Sequence, residues 1–228
     1  MRIHRSLTVL ATAAGVLSLG ATLLVGSAGA ATVEPQQQRA LADVWSPIQK
    51  QVYTGVGDSV IKVQRTKLPG IAKFTHTGES NFIVHTINLR GAVEDYLVNE
   101  IGSYQGTVAF NVDYYVNKGT AGLEIRADGA WKVVIKALAR APRWTDNPAL
   151  GRGDAVLRLD PPVSRTGLHT LRARHWGNSN FIVHSLIDGQ VDDYLINEIG
   201  AYRGQVRLPN RTQYITVHAD GSWRFART

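Results

Sequence analysis

Three kinds of polar side chain occur twice in this sequence, at matching positions of two similar segments. They are a histidine, an asparagine and a glutamate, namely His76, Asn81 and Glu100 in the first segment and His175, Asn180 and Glu198 in the second. A histidine and a carboxylate in one cleft would supply general acid–base chemistry or metal ligands. An asparagine in the same cleft would orient a ligand through hydrogen bonds. These six residues are therefore candidate binding residues.

The spacing of these residues fits no catalytic or metal-binding template. Neither histidine belongs to an H-E-x-x-H pattern, and no G-x-S-x-G motif is present. The chain has no cysteine, which excludes a thiol nucleophile, disulfides and cysteine-ligated zinc. We expect no catalytic residue, no metal site and no cofactor. Calcium is the alternative, because the Asp- and Asn-rich loops offer hard oxygen ligands.

Residues that are identical in both segments also have a structural interpretation. Ser80-Asn81-Phe82 follow a glycine turn, where Ser and Asn bond to the backbone and Phe enters the core. His85 and His184 fall on an apolar strand face, which is typical of a core histidine with a hydrogen-bond partner. His76 and His175 sit at a turn, so the pattern places them closer to solvent.

Trp176 is a seventh candidate, because its counterpart in the first segment is the polar Thr77. An exposed tryptophan at a turn would stack against a sugar ring. The alternative is that it packs against Trp144, which lies between the two segments. Tyr114 and Tyr115 carry the same two interpretations.

The two segments are copies of one unit. The stretch HTGESNFIVHTINLRGAVEDYLVNEIGSYQG (His76–Gly106) matches HWGNSNFIVHSLIDGQVDDYLINEIGAYRG (His175–Gly204) almost continuously. Equivalent positions are 96, 99 and 92 residues apart at Asp58, Asn81 and Asp128. This period is that of a whole small domain. We therefore predict an extension over 31–54, a first domain over 55–138, a linker over 139–150 and a second domain over 151–228.

Short runs of alternating polar and apolar residues predict that each domain is all-β. Seven to eight such runs per copy, bounded by Gly, Asn and Asp, predict two tandem β-sandwiches that resemble jelly rolls. Asp128-Gly129 predicts a tight hairpin, and Trp131 just after it should anchor the core, as Trp223 should in the second copy. Val93–Ile101 fits a strand or a helical turn; the bracketing glycines favour the strand.

The N-terminus has the features of an export signal. Arg2 and Arg5 precede an uncharged run from Leu7 to Val25, and small residues follow as far as Ala30, where cleavage is expected. The sequence therefore predicts a signal peptide over 1–30 and an extracellular, envelope-associated protein. An uncleaved membrane anchor is the alternative, since the apolar run is long enough to span a bilayer.

The charge of the chain limits the choice of partner. Of the formal +7, Arg2 and Arg5 contribute two, which leaves +5 after the signal. Lys and Arg are scattered along strand-like stretches, so a nucleic-acid partner is not expected. The charge indicates either a solvated surface or attraction to anionic envelope polymers, such as phosphate-bearing or acidic glycans.

A repeated string carries a resemblance to a known repeat. The string GD...H-x-G-x-SNF-x-V...G...L-x-N-x-IG-x-Y-x-G...ADG-x-W covers residues 55–136 and 151–226. It resembles an uncharacterised repeat of secreted and surface proteins of actinobacteria, to which no activity or catalytic residue is assigned. The resemblance implies export and a β-sandwich, but it implies no ligand.

Three functional hypotheses remain open at this point. The first is a non-catalytic binding protein whose tandem modules hold a cell-wall or extracellular polysaccharide with raised avidity. The second is a secreted hydrolase, or an accessory to one, that acts on envelope polysaccharide through the repeated carboxylates. The third is a spacer that binds nothing. The sequence leaves the oligomeric state open.

Overall fold

The first repeat folds into two four-stranded antiparallel sheets. The computed structural model describes residues 46–113 and 119–228. One sheet has the strand order β1-β8-β3-β6 and the other β2-β7-β4-β5. The strands are β1 (Gln51–Val56), β2 (Ser59–Thr66), β3 (Gly70–Thr77), β4 (Asn81–Ile87), β5 (Val93–Ile101), β6 (Tyr104–Phe110), β7 (Thr120–Arg126) and β8 (Ala130–Ala137).

The second repeat builds the same two sheets in the same order. Its sheets run β10-β17-β12-β15 and β14-β13-β16-β11-β9, where β9 is an added strand parallel to β11. A 3-10 turn, Leu138–Arg140, precedes β9. The strands are β9 (Arg143–Trp144), β10 (Ala149–Arg152), β11 (Ala155–Leu159), β12 (Thr170–Trp176), β13 (Asn180–Ile187), β14 (Gln190–Ile199), β15 (Tyr202–Arg207), β16 (Tyr214–Ala219) and β17 (Ser222–Arg227).

This arrangement confirms the all-β prediction. The eight strands that both sandwiches share form a jelly roll. Strands one, eight, three and six lie in one sheet, and strands two, seven, four and five lie in the other. Val93–Ile101 is a strand, as the flanking glycines indicated. The predicted signal peptide over 1–30, and Tyr114 and Tyr115, lie outside the described residues.

The Asp128-Gly129 turn differs from the predicted hairpin. It joins β7 to β8, which lie in opposite sheets of the sandwich and do not pair. Neither residue has a positive φ, so the tight hairpin geometry is absent. The Asp128 carboxylate instead accepts the backbone N–H groups of Glu79 (2.8 Å) and Ser80 (2.9 Å), which holds the neighbouring loop.

Each sandwich has its own apolar core. The buried aromatic residues are Phe74, Phe82, Phe110 and Trp131 in the first and Trp144, Phe181, Trp223 and Phe225 in the second. Trp131 and Trp223 are at most 4% exposed, which confirms them as core anchors. The Trp223 indole N–H donates to the Gly153 carbonyl at 2.9 Å. A Cβ on Gly151 would lie 2.1 Å from that indole, so only glycine fits there.

The segments predicted as extension and linker supply parts of the sandwiches. Gln51–Val56 is an edge strand of the first sandwich, and Ile48 is buried in its core. Within the predicted linker, Trp144 is 2% exposed in the second core, and Ala149–Arg152 pairs with β17. Both copies therefore start with an equivalent strand, which the sequence comparison did not align.

The two sandwiches pack against each other through a junction. An apolar cluster there comprises Ile71, Leu138, Ala141, Val156 and Leu186. The backbone N–H of Thr107 donates to the Asp154 carbonyl at 2.9 Å, and that of Val191 to the Val112 carbonyl at 2.8 Å. The sandwiches are thus parts of one compact unit and not separate beads.

Candidate functional site

His76 and His175 are buried parts of the fold, not solvent-facing residues as the sequence predicted. They are 2% and 1% exposed. The His76 ring stacks on Phe82 with centroids 4.4 Å apart, and His175 stacks on Phe181 at 4.5 Å. Each ring places Nδ1 within 2.9 Å of a glycine carbonyl oxygen in the loop before the next strand. Since a carbonyl only accepts, Nδ1 is the protonated nitrogen.

The second ring nitrogen of each buried histidine faces an aspartate. Nε2 lies 3.3 Å from an Asp128 carboxylate oxygen in the first copy and 3.2 Å from Asp220 in the second. Backbone N–H groups of Glu79 and Ser80, with the nearby His76, hold the pKa of Asp128 below its ordinary value. Histidine and aspartate together therefore secure the loop that carries the SNF motif.

The asparagines flank that loop on the surface. Asn81 and Asn180 are exposed at the first positions of β4 and β13, and the phenylalanines that follow them are fully buried. Asp220 accepts the backbone N–H groups of Asn178 and Ser179, which repeats the contact of the first copy. Asn180 also lines a cleft between the sandwiches, whereas Asn81 does not.

The two candidate glutamates have different surroundings. Glu100 is half-buried and lines a groove of about 460 Å³ at the junction, together with Tyr104 and Arg152. Burial, with added repulsion from Asp154, raises the pKa of Glu100. Glu198 is exposed on β14. The structure therefore does not give the two copies an equivalent carboxylate site.

Trp176 is an exposed platform at the end of β12. It is 55% exposed, while Trp144, the proposed packing partner, is 2% exposed within the second core. The backbone alternates along β12, so Leu171, Ala173 and His175 are buried while the residues between them face outwards. Of the two interpretations of Trp176, the exposed one holds.

The outward face that carries Trp176 is rich in arginine. Arg174 on β12 lies directly opposite Arg203 on β15 and Arg224 on β17. Arg172, two positions back along β12, lies opposite Gln205 and accordingly donates from Nε to its side-chain oxygen at 2.9 Å. Residues directly opposite on neighbouring strands have their Cβ atoms roughly 5 Å apart. Three guanidinium groups thus form one row across three strands.

These arginines line a groove of about 530 Å³. We call it the arginine groove; its lining includes Arg172, Arg174, Arg203, Arg224, Gly204 and Ala226. The small Ala226, which lies directly opposite Arg172, leaves room between the long side chains. Trp176 lies two positions beyond Arg174, about 7 Å along the strand. Ser222 on β17 lies between Trp176 on β12 and Arg152 on β10.

No carboxylate balances the central row. Among residues 46–113 and 119–228, Arg174, Arg203 and Arg224 form no ion pair, and no acidic residue lines the arginine groove. Like charges directly opposite one another destabilise a sheet. A bound anion would relieve that repulsion, and guanidinium groups match carboxylate and phosphate oxygens in geometry.

The first sandwich lacks this charge at the equivalent positions. Thr75 takes the place of Arg174, and its cross-strand neighbours are Gln105 and Lys132. A groove of about 440 Å³ lies on this face, lined by Thr54, Thr75, Thr77 and Lys132 among others. The arginine groove is therefore specific to the second copy.

Sequence reasoning missed the arginine groove. The alternation in Arg172-Ala173-Arg174 is visible in the chain, and so are Arg203 and Arg224. Their alignment depends on the register of three strands that are distant in sequence. Comparison of the two copies offered the usable signal, because Arg174 replaces Thr75 directly before the matching histidines His175 and His76.

A polar network at the junction was also missed. Asp154 is 6% exposed and accepts three hydrogen bonds: from the Tyr104 hydroxyl at 2.6 Å, from His218 Nδ1 at 2.9 Å and from the Ala219 N–H at 3.0 Å. Its equivalent, Asp58, accepts the Ala127 N–H in the same way. The tyrosine comes from the first sandwich, so this carboxylate joins the two copies.

Where the structure is described, no cluster of three His, Asp or Glu side chains is arranged to hold a metal ion. Within residues 46–113 and 119–228, no helix has the length and apolar character needed to cross a membrane. The fold and the groove define an all-β protein of two jelly rolls with a cationic, aromatic-flanked surface site. No family model matches the chain, and no curated protein matches it.

Proposed function

We propose that this protein is a secreted, non-catalytic binding protein that holds an anionic polysaccharide of the cell envelope in the arginine groove. The observation that carries the proposal is the unneutralised row of Arg174, Arg203 and Arg224. Its guanidinium groups suit the carboxylate or phosphate groups of an acidic glycan. The exposed Trp176 on the same face suits the apolar side of a sugar ring.

Two grooves on the outward faces of equivalent sheets support binding of an extended polymer. The arginine groove of the second sandwich and the threonine-lined groove of the first belong to one compact unit. A chain that reaches both makes the second contact intramolecular, which raises the apparent affinity. The different linings suit a polymer whose charged and neutral groups both contribute contacts.

Binding to defined polysaccharides tests this proposal. The protein is expected to bind a polyuronate and a phosphate-bearing wall polymer, and to bind an uncharged glucan of similar length far more weakly. Added salt should weaken the first two interactions, because screening acts on exposed charges. Trp176→Ala should lower affinity for the acidic glycan and leave affinity for inorganic polyphosphate unchanged, since polyphosphate has no ring to stack. Retention on no envelope fraction would support the spacer hypothesis instead.

A hydrolase acting on envelope polysaccharide is the second candidate. The observation that favours it is Glu100, whose pKa is raised at a groove beside Tyr104 and Arg152. A carboxyl group with a raised pKa suits a general acid. Release of new reducing ends from isolated cell wall, abolished by Glu100→Gln but not by Glu198→Gln, would establish this activity. Binding without release keeps the non-catalytic proposal.

A further inference from the structure

The outward face of the sheet that contains β11 is covered in the second sandwich. The same face of the equivalent sheet in the first sandwich, which contains β2, is open. Val156 on β11 is 2% exposed because the first sandwich packs over it, whereas its counterpart Val60 on β2 is 69% exposed. The same face carries Ile87 and Val93, whose counterparts Leu186 and Val191 pack at the junction, and Val93 is 41% exposed. We call this the open face. It has the apolar character of a surface that elsewhere in the same molecule carries a partner.

The edge that covers the second sandwich also has a free counterpart. The first sandwich contacts its neighbour through the edge strand β6, where Tyr104 donates to Asp154 and the Thr107 N–H donates to the Asp154 carbonyl. In the second sandwich, β15 is the equivalent edge strand and Tyr202 the equivalent tyrosine. Gln205 pairs with Arg172, and Thr107 pairs with Lys73 at the equivalent position. Because the register is the same, the N–H of Gln205 points away from the sheet as that of Thr107 does.

The polar acceptor of the junction is present on the open face too. Asp58 is held by the Ala127 N–H at 2.9 Å, as Asp154 is by the Ala219 N–H at 3.0 Å. Among residues 46–113 and 119–228, no tyrosine donates to Asp58, whereas Asp154 accepts the Tyr104 hydroxyl of the neighbouring sandwich. An exposed edge strand is a template for pairing with another chain. The two free surfaces therefore repeat the two surfaces that meet inside each molecule.

We propose that the β15 edge of one molecule docks on the open face of a second copy, with Tyr202 donating to Asp58. This contact between two molecules has the same arrangement as the junction between the two sandwiches of one molecule. Because it joins two different surfaces, it is heterologous and leads to open head-to-tail chains. It does not depend on polysaccharide binding, although the β15 edge also carries Arg203 and Gln205 of the arginine groove.

The intermolecular contact is weaker than the internal one. Ile71 and Ala109, which pack at the junction, are replaced by Thr170 and Arg207 on the free edge. Less apolar area is buried as a result. Glu124 on the open face and Arg207 have opposite charges, but each already has an ion pair within its own molecule, with Arg126 and Asp193 respectively. Association is thus expected only at high protein concentration.

Sedimentation velocity over a range of concentrations tests the proposal. The weight-average mass of the wild-type chain is expected to rise continuously with concentration and to pass that of a dimer. Val60→Asp should keep the protein monomeric, because it buries a charge in the contact. The matched control is Val52→Asp, because Val52 is 48% exposed on β1, in the other sheet of the same sandwich and at the end of that strand away from Asp58. This variant should associate like the wild type. Both sites are exposed, so both variants should fold.

Tyr202→Phe provides a second measurement. It keeps the ring that packs near Phe181 and removes only the hydroxyl, so the concentration needed for association should rise several-fold. Three outcomes would overturn the proposal: a wild-type mass that stays monomeric at every concentration, a mass that stops at a dimer, or association of Val60→Asp equal to that of the wild type. The last outcome would assign association to another surface of the chain.

Discussion

Arg174 lies directly across from Arg224 in the outer sheet of the second sandwich, and no carboxylate within the described residues pairs with either. A third arginine, Arg203, lies on the other side of Arg174. The equivalent row of the first sandwich has a single cation, Lys132. This difference between two copies of one fold gives matched tests of what the extra charge does.

Loss of one groove arginine should weaken anion binding. Arg224→Gln is expected to lower affinity for a polyuronate about fivefold, roughly 1 kcal/mol, because an exposed charge pair is lost. Lys132→Gln, its equivalent in the first sandwich, should have a smaller effect. Isothermal titration at low salt measures both. Equal losses in the two variants would show that overall charge, and not the groove, governs binding.

Loss of the central arginine should stabilise the fold while it weakens binding. Arg174→Thr copies the residue of the first sandwich and removes two like-charge contacts. The free energy of unfolding is expected to rise by about 0.5 kcal/mol at low salt, and the gain should shrink as salt is added. Denaturant unfolding of the whole protein measures the change. A loss of stability at low salt would contradict the repulsion argument.

The junction carboxylate should matter more than its equivalent in the first sandwich. Asp154→Asn weakens the bonds from Tyr104 and His218 and should cost roughly 2 kcal/mol, since hydrogen bonds to a charged group are the stronger ones. Asp58→Asn disturbs only the shared backbone contact. Thermal unfolding of the two variants compares them. If both lose the same amount, the junction bonds add nothing to stability.

Two histidines on one face of the second sandwich should titrate on opposite sides of the ordinary imidazole pKa. The hydrogen bond with Asp154 raises the pKa of His218, while burial lowers the pKa of His184. A raised histidine pKa means that the stabilising interaction is fully present below the unfolded value of 6.5 and is lost as pH rises through the folded pKa. NMR titration of both rings checks the order, and His218→Gln should remove the loss of stability at high pH.

The loop-holding aspartates should make the fold sensitive to acid. Backbone N–H groups hold the pKa of Asp220 below its unfolded value of 3.8, although burial acts in the other direction. A lowered carboxyl pKa contributes stability above that value, and the contribution is lost as pH falls through the folded pKa. Asp220→Asn should therefore reduce the slope of stability against pH below about 4. Unfolding followed by tryptophan fluorescence measures that slope.

Local patterns predicted much of the fold. The duplication, the all-β class, the strand over Val93–Ile101 and the buried tryptophans follow from alternation and turn residues, which act over a few neighbours. The Asp128-Gly129 hairpin was wrong because residues that favour a turn do not specify which sheet the next strand joins. The burial of His76 was missed because its partners come from other parts of the fold: Phe82 from β4 and Asp128 from the turn between β7 and β8.

The sequence by itself determined that the chain contains two copies of one strand-rich unit, since alternation and glycine turns are properties of adjacent residues. Only the tertiary structure decided where function is to be sought. Arg174, Arg203 and Arg224 meet because three strands pair in one register, and Tyr104 reaches Asp154 because two sandwiches pack together. Such contacts depend on pairing between distant segments. Their energies depend on the whole fold and cannot be predicted from any short stretch of the chain.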